Sequence, residues 1–312
     1  MPSPRNKTLS LTPDEERVYA ARCLTAENPL SIAEITDQIL LGDTFAVLPL
    51  LPKESVDLLV VDPPYNLTKQ YGNTVFNKQN KDAYRAFTER WLSLALPLLK
   101  PTASLYVCCD WESSLIIGDV LSQHCPLRNR ITWQREKGRG AAANWKNGME
   151  DIWYATVSDR FTFHVDAVKQ RRRVIAPYKA EGQPKDWYET ENGRFRDTCP
   201  SNFWDDISIP YWSMPENTAH PTQKPEKLLA KLILASSNEG DVVLDPFVGS
   251  GTTAVVAKKL QRHYIGIEQQ PTYAAWAQYR LEKADADRTI QGYTDGVFWE
   301  RNTHTLQKKY KG

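Results

Sequence analysis

The chain has 312 residues, of which 41% are hydrophobic and 25% are charged. A chain of this size and balance is globular, and it can bury a full α/β core and still hold an inserted module. No apolar run is long enough to span a bilayer and the first residues have no apolar secretory core, so we expect a cytoplasmic protein without a membrane partner. The five cysteines are odd in number and have no CxxC spacing, which indicates neither a metal site nor a disulfide framework.

The formal net charge is only +1, but the cationic residues are clustered. Six Lys and Arg residues lie between positions 128 and 146 against a single acid, Glu136, and further clusters lie at 169–173 and 308–311. Such clusters could neutralise phosphates, or they could be ordinary solvated surface. Composition therefore leaves a nucleic-acid partner open.

Predicted strands and helices alternate along most of the chain. A first helix is predicted over 13–24 after Thr12 as its N-cap, and from residue 35 a short strand, a turn at Gly42 and Asp43, and a helix follow. Strands are then predicted at 56–62, 104–109, 128–133, 151–156, 161–163, 241–247 and 263–268, and helices at 84–99, 113–123, 225–237, 251–260 and 271–284. This alternation is typical of a doubly wound, mostly parallel sheet with helices on both faces. Residues 158–218 break the rhythm and are rich in Pro, Trp, Tyr, Arg and Asp, which indicates an insertion.

A glycine-containing segment at 245–253, DPFVGSGTT, follows an apolar strand and opens a helix. Glycines at such a turn permit close approach of a ligand, and Glu268, at the end of the next strand, can accept both ribose hydroxyls of an adenosine. No Lys-Ser or Lys-Thr follows Gly251, so the segment is not a Walker A loop. Two glycines alone would suit a structural turn equally well. The combination of strand, glycines, helix, strand and acid predicts an adenosine-type cofactor.

A second motif, Asp62-Pro63-Pro64-Tyr65, comes directly after the buried strand VDLLVV. An amino nitrogen conjugated to a base is a poor nucleophile because its lone pair is delocalised into the ring. A carboxylate and a backbone carbonyl that accept both of its N–H groups would turn the lone pair outward. The two prolines fix φ and stiffen the loop, and Tyr65 offers an aromatic face to a base swung out of a duplex. The alternative is a plain turn after a strand, since Asp-Pro-Pro is good turn chemistry.

The order of these two motifs resembles the amino-group DNA methyltransferases of bacterial restriction-modification systems. In the beta class of that family the catalytic tetrapeptide comes first, a variable insertion second and the cofactor loop last, which is a circularly permuted layout. HPTQKP at 220–225 and Gly42-Asp43 also match, so the resemblance covers roughly residues 35–284. It implies an α/β fold, a Rossmann-like, doubly wound and mostly parallel seven-stranded methyltransferase sheet with an inserted target-recognition region. The expected division is an N-terminal extension (1–34), a catalytic domain (35–157 and 219–290), a target-recognition insertion (158–218) and a C-terminal tail (291–312).

The resemblance also implies catalytic roles and a cofactor, S-adenosylmethionine. Asp62 and Pro63 would bind the target amino group beside Pro64, and Tyr65 would stack on the base. Transfer would be direct and in line, with no covalent enzyme intermediate and no metal. The proton lost from nitrogen could leave through Asp62 or through water.

Cofactor contacts are implied for the residues that match the family's binding segments. These are Asp43, Thr222, Gln223, Lys224, Asp245, Phe247, Gly249, Ser250, Gly251, Thr252 and Glu268. Asp43 would approach the adenine, Glu268 the ribose, and Lys224 the methionine end, where a cation suits the carboxylate. Asp43 could also be only a turn former, and Lys224 only a solvated residue at a helix start.

The partner implied by the resemblance is double-stranded DNA, which would place the protein near the nucleoid. Contacts are expected from a Gly-rich basic segment at 130–147 and from the insertion, whose alternative role is a structural cap over the active site. The candidate DNA-binding residues are Arg135, Lys137, Arg139, Trp145, Lys146, Arg171, Arg172 and Arg173. The resemblance makes a homodimer plausible and leaves open a cognate restriction endonuclease and the recognition sequence.

The target base follows from two further observations. Asp rather than Ser at position 62 is more typical of the adenine N6 enzymes, and cytosine N4 remains the alternative. Methylation at cytosine C5 needs a thiolate that the family presents after a proline, and no cysteine here follows a proline. A catalytically silent DNA-binding relative and an RNA or protein methyltransferase are rival hypotheses, against which stand the intact motifs and the Asp at position 62.

Overall fold

The computed structural model describes residues 5–72, 74–135, 144–175, 179–303 and 307. The α-helices in these ranges are α1 (Pro13–Ala20), α2 (Ile32–Ile35), α3 (Thr44–Val47), α4 (Lys81–Ala95), α5 (Trp111–His124), α6 (Glu226–Ser236), α7 (Thr252–Lys259) and α8 (Pro271–Ala286). The strands of the first half are β1 (Gln38–Leu41), β2 (Val56–Val61), β3 (Lys69–Tyr71), β4 (Thr74–Phe76), β5 (Leu99–Cys109), β6 (Leu127–Gln134) and β7 (Met149–Thr156). Those that follow are β8 (Gln170–Arg173), β9 (Lys179–Ala180), β10 (Gln183–Pro184), β11 (Tyr188–Thr190), β12 (Gly193–Thr198), β13 (Phe203–Trp204), β14 (Val242–Asp245), β15 (His263–Glu268), β16 (Tyr293–Thr294) and β17 (Val297–Trp299).

The central sheet confirms the predicted fold class. Among the described residues it has the order β1-β15-β14-β2-β5-β7-β6-β13, and only β7 runs against its neighbours. Helices α6, α7 and α8 supply buried side chains to the core on one face, and α4 and α5 to the core on the other. The sheet is therefore doubly wound.

The prediction of seven strands was short by one. The extra strand is β13, which the insertion lays parallel to β6. Trp204 of this strand is buried, and it covers an edge that β6 would otherwise leave unpaired.

Two predicted boundaries were wrong for a local reason. Helix α1 ends at Ala20 and not at residue 24, because Leu24 pairs with β1 by donating its N–H to the Ile39 carbonyl at 2.9 Å. Residues 161–163 form no strand. The rings of Phe161 and Phe163 instead lie about 6 Å from that of Tyr154, so the segment covers the sheet rather than extending it.

The insertion and the residues after α8 build a second sheet together. Its order is β11-β12-β8-β17-β16, so the C-terminal strands complete a sheet that the insertion begins. Trp299 of β17 is fully buried against Phe195 of β12, with ring centroids 5.8 Å apart. Asp206 then anchors this region to α6, because Lys227 and Lys231 both contact its carboxylate, at 2.6 and 2.7 Å.

In the described part of the chain, no helix combines the length and the apolar character that crossing a membrane would require.

Candidate active site

The motif residues meet at one edge of the central sheet. Strands β1, β15, β14 and β2 are adjacent and parallel, so their carboxyl ends share that edge, where α/β sheets bind ligands. A cavity of about 200 Å³ opens there. Of the predicted residues, it is lined by Asp43, Asp62, Pro63, Pro64, Tyr65, Thr222, Gln223, Lys224, Phe247, Gly249, Ser250, Thr252 and Glu268.

The tetrapeptide at 62–65 is held from several sides. Tyr84 of α4 donates a hydrogen bond to the Pro64 carbonyl at 3.0 Å. The Lys224 ammonium lies 2.7 Å from both oxygens of Asp62, and the Tyr65 hydroxyl lies 3.0 Å from one of them. The same hydroxyl lies 3.1 Å from a carboxylate oxygen of Glu150. These contacts hold the loop and the Asp62 carboxylate in place, and stiffening by the two prolines stays a prediction.

Burial and charge act together on this cluster. Burial raises the pKa of Asp62, the Lys224 ammonium opposes that shift, and the Glu150 carboxylate adds to it. For Lys224, burial disfavours the charged form, but the carboxylates of Asp62 and Glu150 outweigh it and raise its pKa. Lys224 is 7% exposed, so it is not a solvated residue at a helix start. Its ammonium contacts the Asp62 carboxylate, and contact with a cofactor's methionine end stays a prediction.

The glycine loop has the shape that a bound adenosine group needs. Gly249 and Gly251 both have positive φ, +53° and +84°. A Cβ at Gly249 would lie 3.0 Å from the Nε2 atom of His220, across the cavity wall, and one at Gly251 would lie 2.6 Å from the Cβ of Ala277 in α8. Neither position therefore tolerates a side chain. Gly249 lines the cavity, whereas Gly251 is not among the lining residues and packs against α8, so a cofactor contact at Gly251 stays a prediction.

Glu268 ends β15 with both carboxylate oxygens oriented. One accepts the Gly249 N–H at 3.0 Å and the other accepts the Gln270 N–H at 2.7 Å. Burial raises its pKa to about 7, although these N–H groups favour the charged form. Each oxygen keeps a lone pair that could accept a ribose hydroxyl. The residues of this cavity thus fit the adenosine part of S-adenosylmethionine.

The two aspartates that begin the binding loops are placed differently. Asp43 lines the cavity and also caps α3, where its side chain accepts the Phe45 N–H at 3.2 Å. Asp43 is therefore a turn former on the cavity wall, and its approach to the cofactor adenine stays a prediction. Asp245 lies behind the loop, accepting the Phe247 N–H at 3.0 Å and the Thr253 hydroxyl at 2.5 Å, and burial raises its pKa to about 7.

The segment at 220–224 forms the wall opposite the glycine loop. The Gln223 amide is used within the protein, accepting the Thr218 N–H at 2.8 Å and donating to the Glu216 carbonyl at 2.6 Å. His220 accepts the Thr222 N–H on Nδ1 at 3.3 Å, and burial with the nearby cations lowers its pKa to about 3. It is therefore a neutral imidazole.

Sequence reasoning missed Glu150 and His220. His220 stood within a quoted motif but was given no role, although its position beside Gly249 closes the cavity wall. Glu150 lies at the start of a strand and follows no motif, and strand β7 carries it to the active edge only because β7 is antiparallel. The signal available in the sequence was an acidic pair, Glu150-Asp151, at the start of an otherwise apolar segment, GMEDIWYA.

The candidate DNA-binding residues differ from one another in exposure and in ion pairing. Arg135 pairs with Glu150 at 2.5 Å, and Trp145 and Lys146 are exposed. Arg171 pairs with both oxygens of Asp197 at 2.9 Å, with its side chain only 11% exposed. Arg172 is half-buried and Arg173 is exposed. Lys137 and Arg139 lie outside the described residues.

The cysteines of the sheet bear on the type of methyl transfer. Cys108 and Cys109 are buried in β5, and burial raises the pKa of both thiols well above the ordinary value. A thiolate nucleophile is disfavoured there. This agrees with chemistry on an amino group rather than on a ring carbon.

Comparison with known proteins assigns the chain to a family. The family model for N6 and N4 DNA methylases matches residues 56–279, which include both motifs. The chain belongs to this family. Its members are S-adenosylmethionine-dependent DNA methyltransferases of the restriction-modification type, so this protein is such an enzyme and S-adenosylmethionine is its cofactor.

Individual relatives of the methyltransferase agree with that assignment. It is 35% identical over 248 residues to the type II methyltransferase M.HpaI of Haemophilus parainfluenzae, covering 78% of this chain and 74% of the relative. It is 32% identical to the DNA adenine methyltransferase YhdJ of Escherichia coli K12, covering 83% and 87%. The solved structure of the cytosine-N4-specific PvuII DNA methyltransferase shares the fold, with a TM-score of 0.60, 19% identity and coverage of 84% and 92%.

Proposed function

We propose that this methyltransferase flips adenine out of duplex DNA and methylates its N6 atom. The observation that carries the proposal is the position of Asp62. Asp62 directly follows β2, and its carboxylate lines the same cavity as Gly249 and Glu268. A base amino group bound by Asp62 therefore lies beside the site that the adenosine-binding residues form.

The chain's own residues supply positioning and lone-pair exposure. S-adenosylmethionine, when bound, supplies a methyl group already activated by its sulfonium. Asp62 and the Pro63 carbonyl accept the two N–H groups of the target, so that the nitrogen presents its lone pair toward the cavity. Tyr65 orients the base by stacking, and the preorganised loop avoids rearrangement during transfer. Asp62 is also the nearest carboxylate to take the proton that the methylated nitrogen loses.

The choice of adenine rests on two supports. The tetrapeptide begins with Asp, which is more typical of the adenine enzymes that this sequence resembles. The relative YhdJ, which matches 83% of this chain, is an adenine methyltransferase by name. Cytosine N4 poses the same chemical task, and PvuII methyltransferase, which is specific for it, has the same fold.

The DNA-facing surface is proposed to surround the mouth of the cavity. Exposed Trp145, Lys146 and Arg173 are available to phosphates or to the gap left by a flipped base, and Lys137 and Arg139 stay predictions. The second sheet would carry target recognition. We further propose a homodimer, a companion restriction endonuclease, and a cytoplasmic location at the nucleoid, where the substrate is found.

Nucleoside analysis tests this proposal directly. The gene is expressed in a host that lacks the modification, and the DNA is digested and examined by mass spectrometry. We expect N6-methyladenine from the wild type and none from Asp62→Ala. If only N4-methylcytosine is found, the target is cytosine and not adenine. If neither methylated nucleoside is found, the proposal that the enzyme acts on DNA is overturned. Sequencing that reads modified bases would then give the recognition site.

A further inference from the structure

Glu150 lies beside the catalytic carboxylate without belonging to either motif. It is 4% exposed, on the antiparallel strand β7. Its Oε2 atom lies 3.1 Å from the Tyr65 hydroxyl and 3.4 Å from the Lys224 ammonium, and its Oε1 atom lies 2.5 Å from the Arg135 guanidinium. One oxygen thus faces the 62–65 loop, and the other faces Arg135 of the basic segment.

The charges of this cluster balance in pairs. Lys224 and Arg135 are cations, and Asp62 and Glu150 are carboxylates, with Lys224 in contact with both acids. A buried ammonium is costly without an anionic partner. If Asp62 turned toward a target amino group, Lys224 would keep Glu150 as its partner. Without Glu150, Lys224 would have no second carboxylate and would compete with the target for Asp62.

The Tyr65 hydroxyl is divided between the same two acids. It carries one proton, so it donates to Asp62 at 3.0 Å or to Glu150 at 3.1 Å. When Asp62 engages the target, a hydrogen bond to Glu150 still holds the ring in one orientation. That orientation matters because the ring is the proposed stacking face for the base.

We propose that Glu150 is a positioning residue for methyl transfer, holding Lys224 and the Tyr65 hydroxyl so that Asp62 is free to accept the target amino group. The inference rests on the proposed role of Asp62. It assigns Glu150 no contact with the base or the cofactor. It also gives Arg135 a structural partner within the site.

The charge of Glu150 affects how the methylation rate depends on pH. The charged or titratable groups that act on the Asp62 cluster are Lys224, Lys69, Arg135, Tyr65, Tyr71, Cys108, Cys109, His220, Asp245 and Glu150. Among these, the Glu150 carboxylate raises the pKa of Asp62. Removing that charge lowers the pKa of Asp62, so the acid limb of the rate profile moves to lower pH.

Glu150→Gln tests the proposal because it removes the charge and keeps the shape. Single-turnover methylation of duplex DNA should fall by about tenfold or more, while thermal unfolding and cofactor affinity stay near wild type. The acid limb of the pH profile should shift to lower pH. Glu150→Asp, which keeps the charge on a shorter side chain, should restore the limb to its wild-type position with the rate still reduced.

Asp151→Asn is the matched control. Asp151 is the next residue on β7, is 2% exposed, and points to the other face, where it accepts the Thr132 hydroxyl at 2.8 Å. It should leave the rate and the profile unchanged. The proposal is overturned if Glu150→Gln behaves as wild type, if Asp151→Asn shows the same loss, or if Glu150→Gln loses cofactor binding and stability together with turnover. Inactive wild-type enzyme would instead refute the proposed function.

Discussion

The two sheets of this methyltransferase use charged residues in opposite ways. At the edge of the central sheet, Asp62 and Glu268 line one cavity and Asp245 lies behind its glycine loop, and burial raises the pKa of all three. In the second sheet, cations and acids alternate and pair across neighbouring strands, as Arg171 does with Asp197. Shifted pKa values of buried acids are typical of a site that carries out chemistry, as in the first region. Many charged residues of the second sheet instead form ion pairs with each other, which indicates a structural role.

The comparison teaches that a run of arginines is not a DNA contact by composition alone. The register of β12 on β8 sets Asp197 directly opposite Arg171, and Arg194 and Arg196 pair with Glu189 and Asp186. Only a cation whose side chain stays exposed can release counterions from DNA. Four experiments test this division between the two sheets, in order of expected effect.

Asp62→Ala should have the largest effect, and on chemistry alone. Loss of the acceptor for the target N–H groups should lower turnover by about 10³-fold. Cofactor affinity should change little, since Glu268 and the glycine loop remain in place. Turnover and cofactor titration measure the two separately. An equal loss in both would mean that Asp62 holds the cavity together rather than acting on the base.

Gly249→Val should instead weaken cofactor binding, by about a hundredfold. A side chain at φ +53° is strained, and its Cβ would meet His220 at 3.0 Å. Strain of about 3 kcal/mol corresponds to a roughly hundredfold weaker complex. Gly240→Ala is the control, because Gly240 also has positive φ, +81°, but nothing within 4 Å of its Cβ position. Normal cofactor titration in Gly249→Val would remove the site assignment.

Arg171→Ala and Arg173→Ala should separate structure from DNA contact within one strand. Breaking the bidentate, largely buried pair with Asp197 should cost about 2–4 kcal/mol of unfolding free energy. Exposed Arg173 should cost less than about 0.5 kcal/mol when truncated, yet reduce the salt slope of DNA binding by about 0.9. Denaturant unfolding and salt-dependent binding measure these quantities. The reverse pattern would show that Arg171 is the DNA contact.

The smallest predicted effect is a pH dependence of cofactor affinity. Burial raises the pKa of Glu268 to about 7, so the folded enzyme holds its proton at pH values where an exposed glutamate would be ionised. Binding that needs the carboxylate must release this proton below pH 7. Affinity should therefore fall by up to about tenfold per pH unit below 7 and level off above it. Glu268→Gln should flatten the dependence, and an unchanged slope would point to Asp245, whose pKa is also about 7.

The sequence predicted that several acids of the central sheet would lie at one edge, because each of them comes at the carboxyl end of a predicted strand. Asp43, Asp62, Asp245 and Glu268 each follow or end a predicted strand, and parallel strands deliver their carboxyl ends to one edge. Glu150 escaped prediction because its strand is antiparallel, which only the sheet topology shows.

For the second sheet, the sequence showed which charged residues are present but not which residues they contact. Whether Arg171 faces a phosphate or Asp197 depends on register, and short strands with irregular patterning leave register undefined until they pair. The same holds for Trp299, whose burial depends on strands more than 90 residues earlier in the chain. The sequence alone determined the chemistry of the motifs and their order along the chain. Which charges stand next to one another, and so which ones remain available to a substrate, was decided by tertiary packing, because a charge acts over a few ångströms of space and not along the chain.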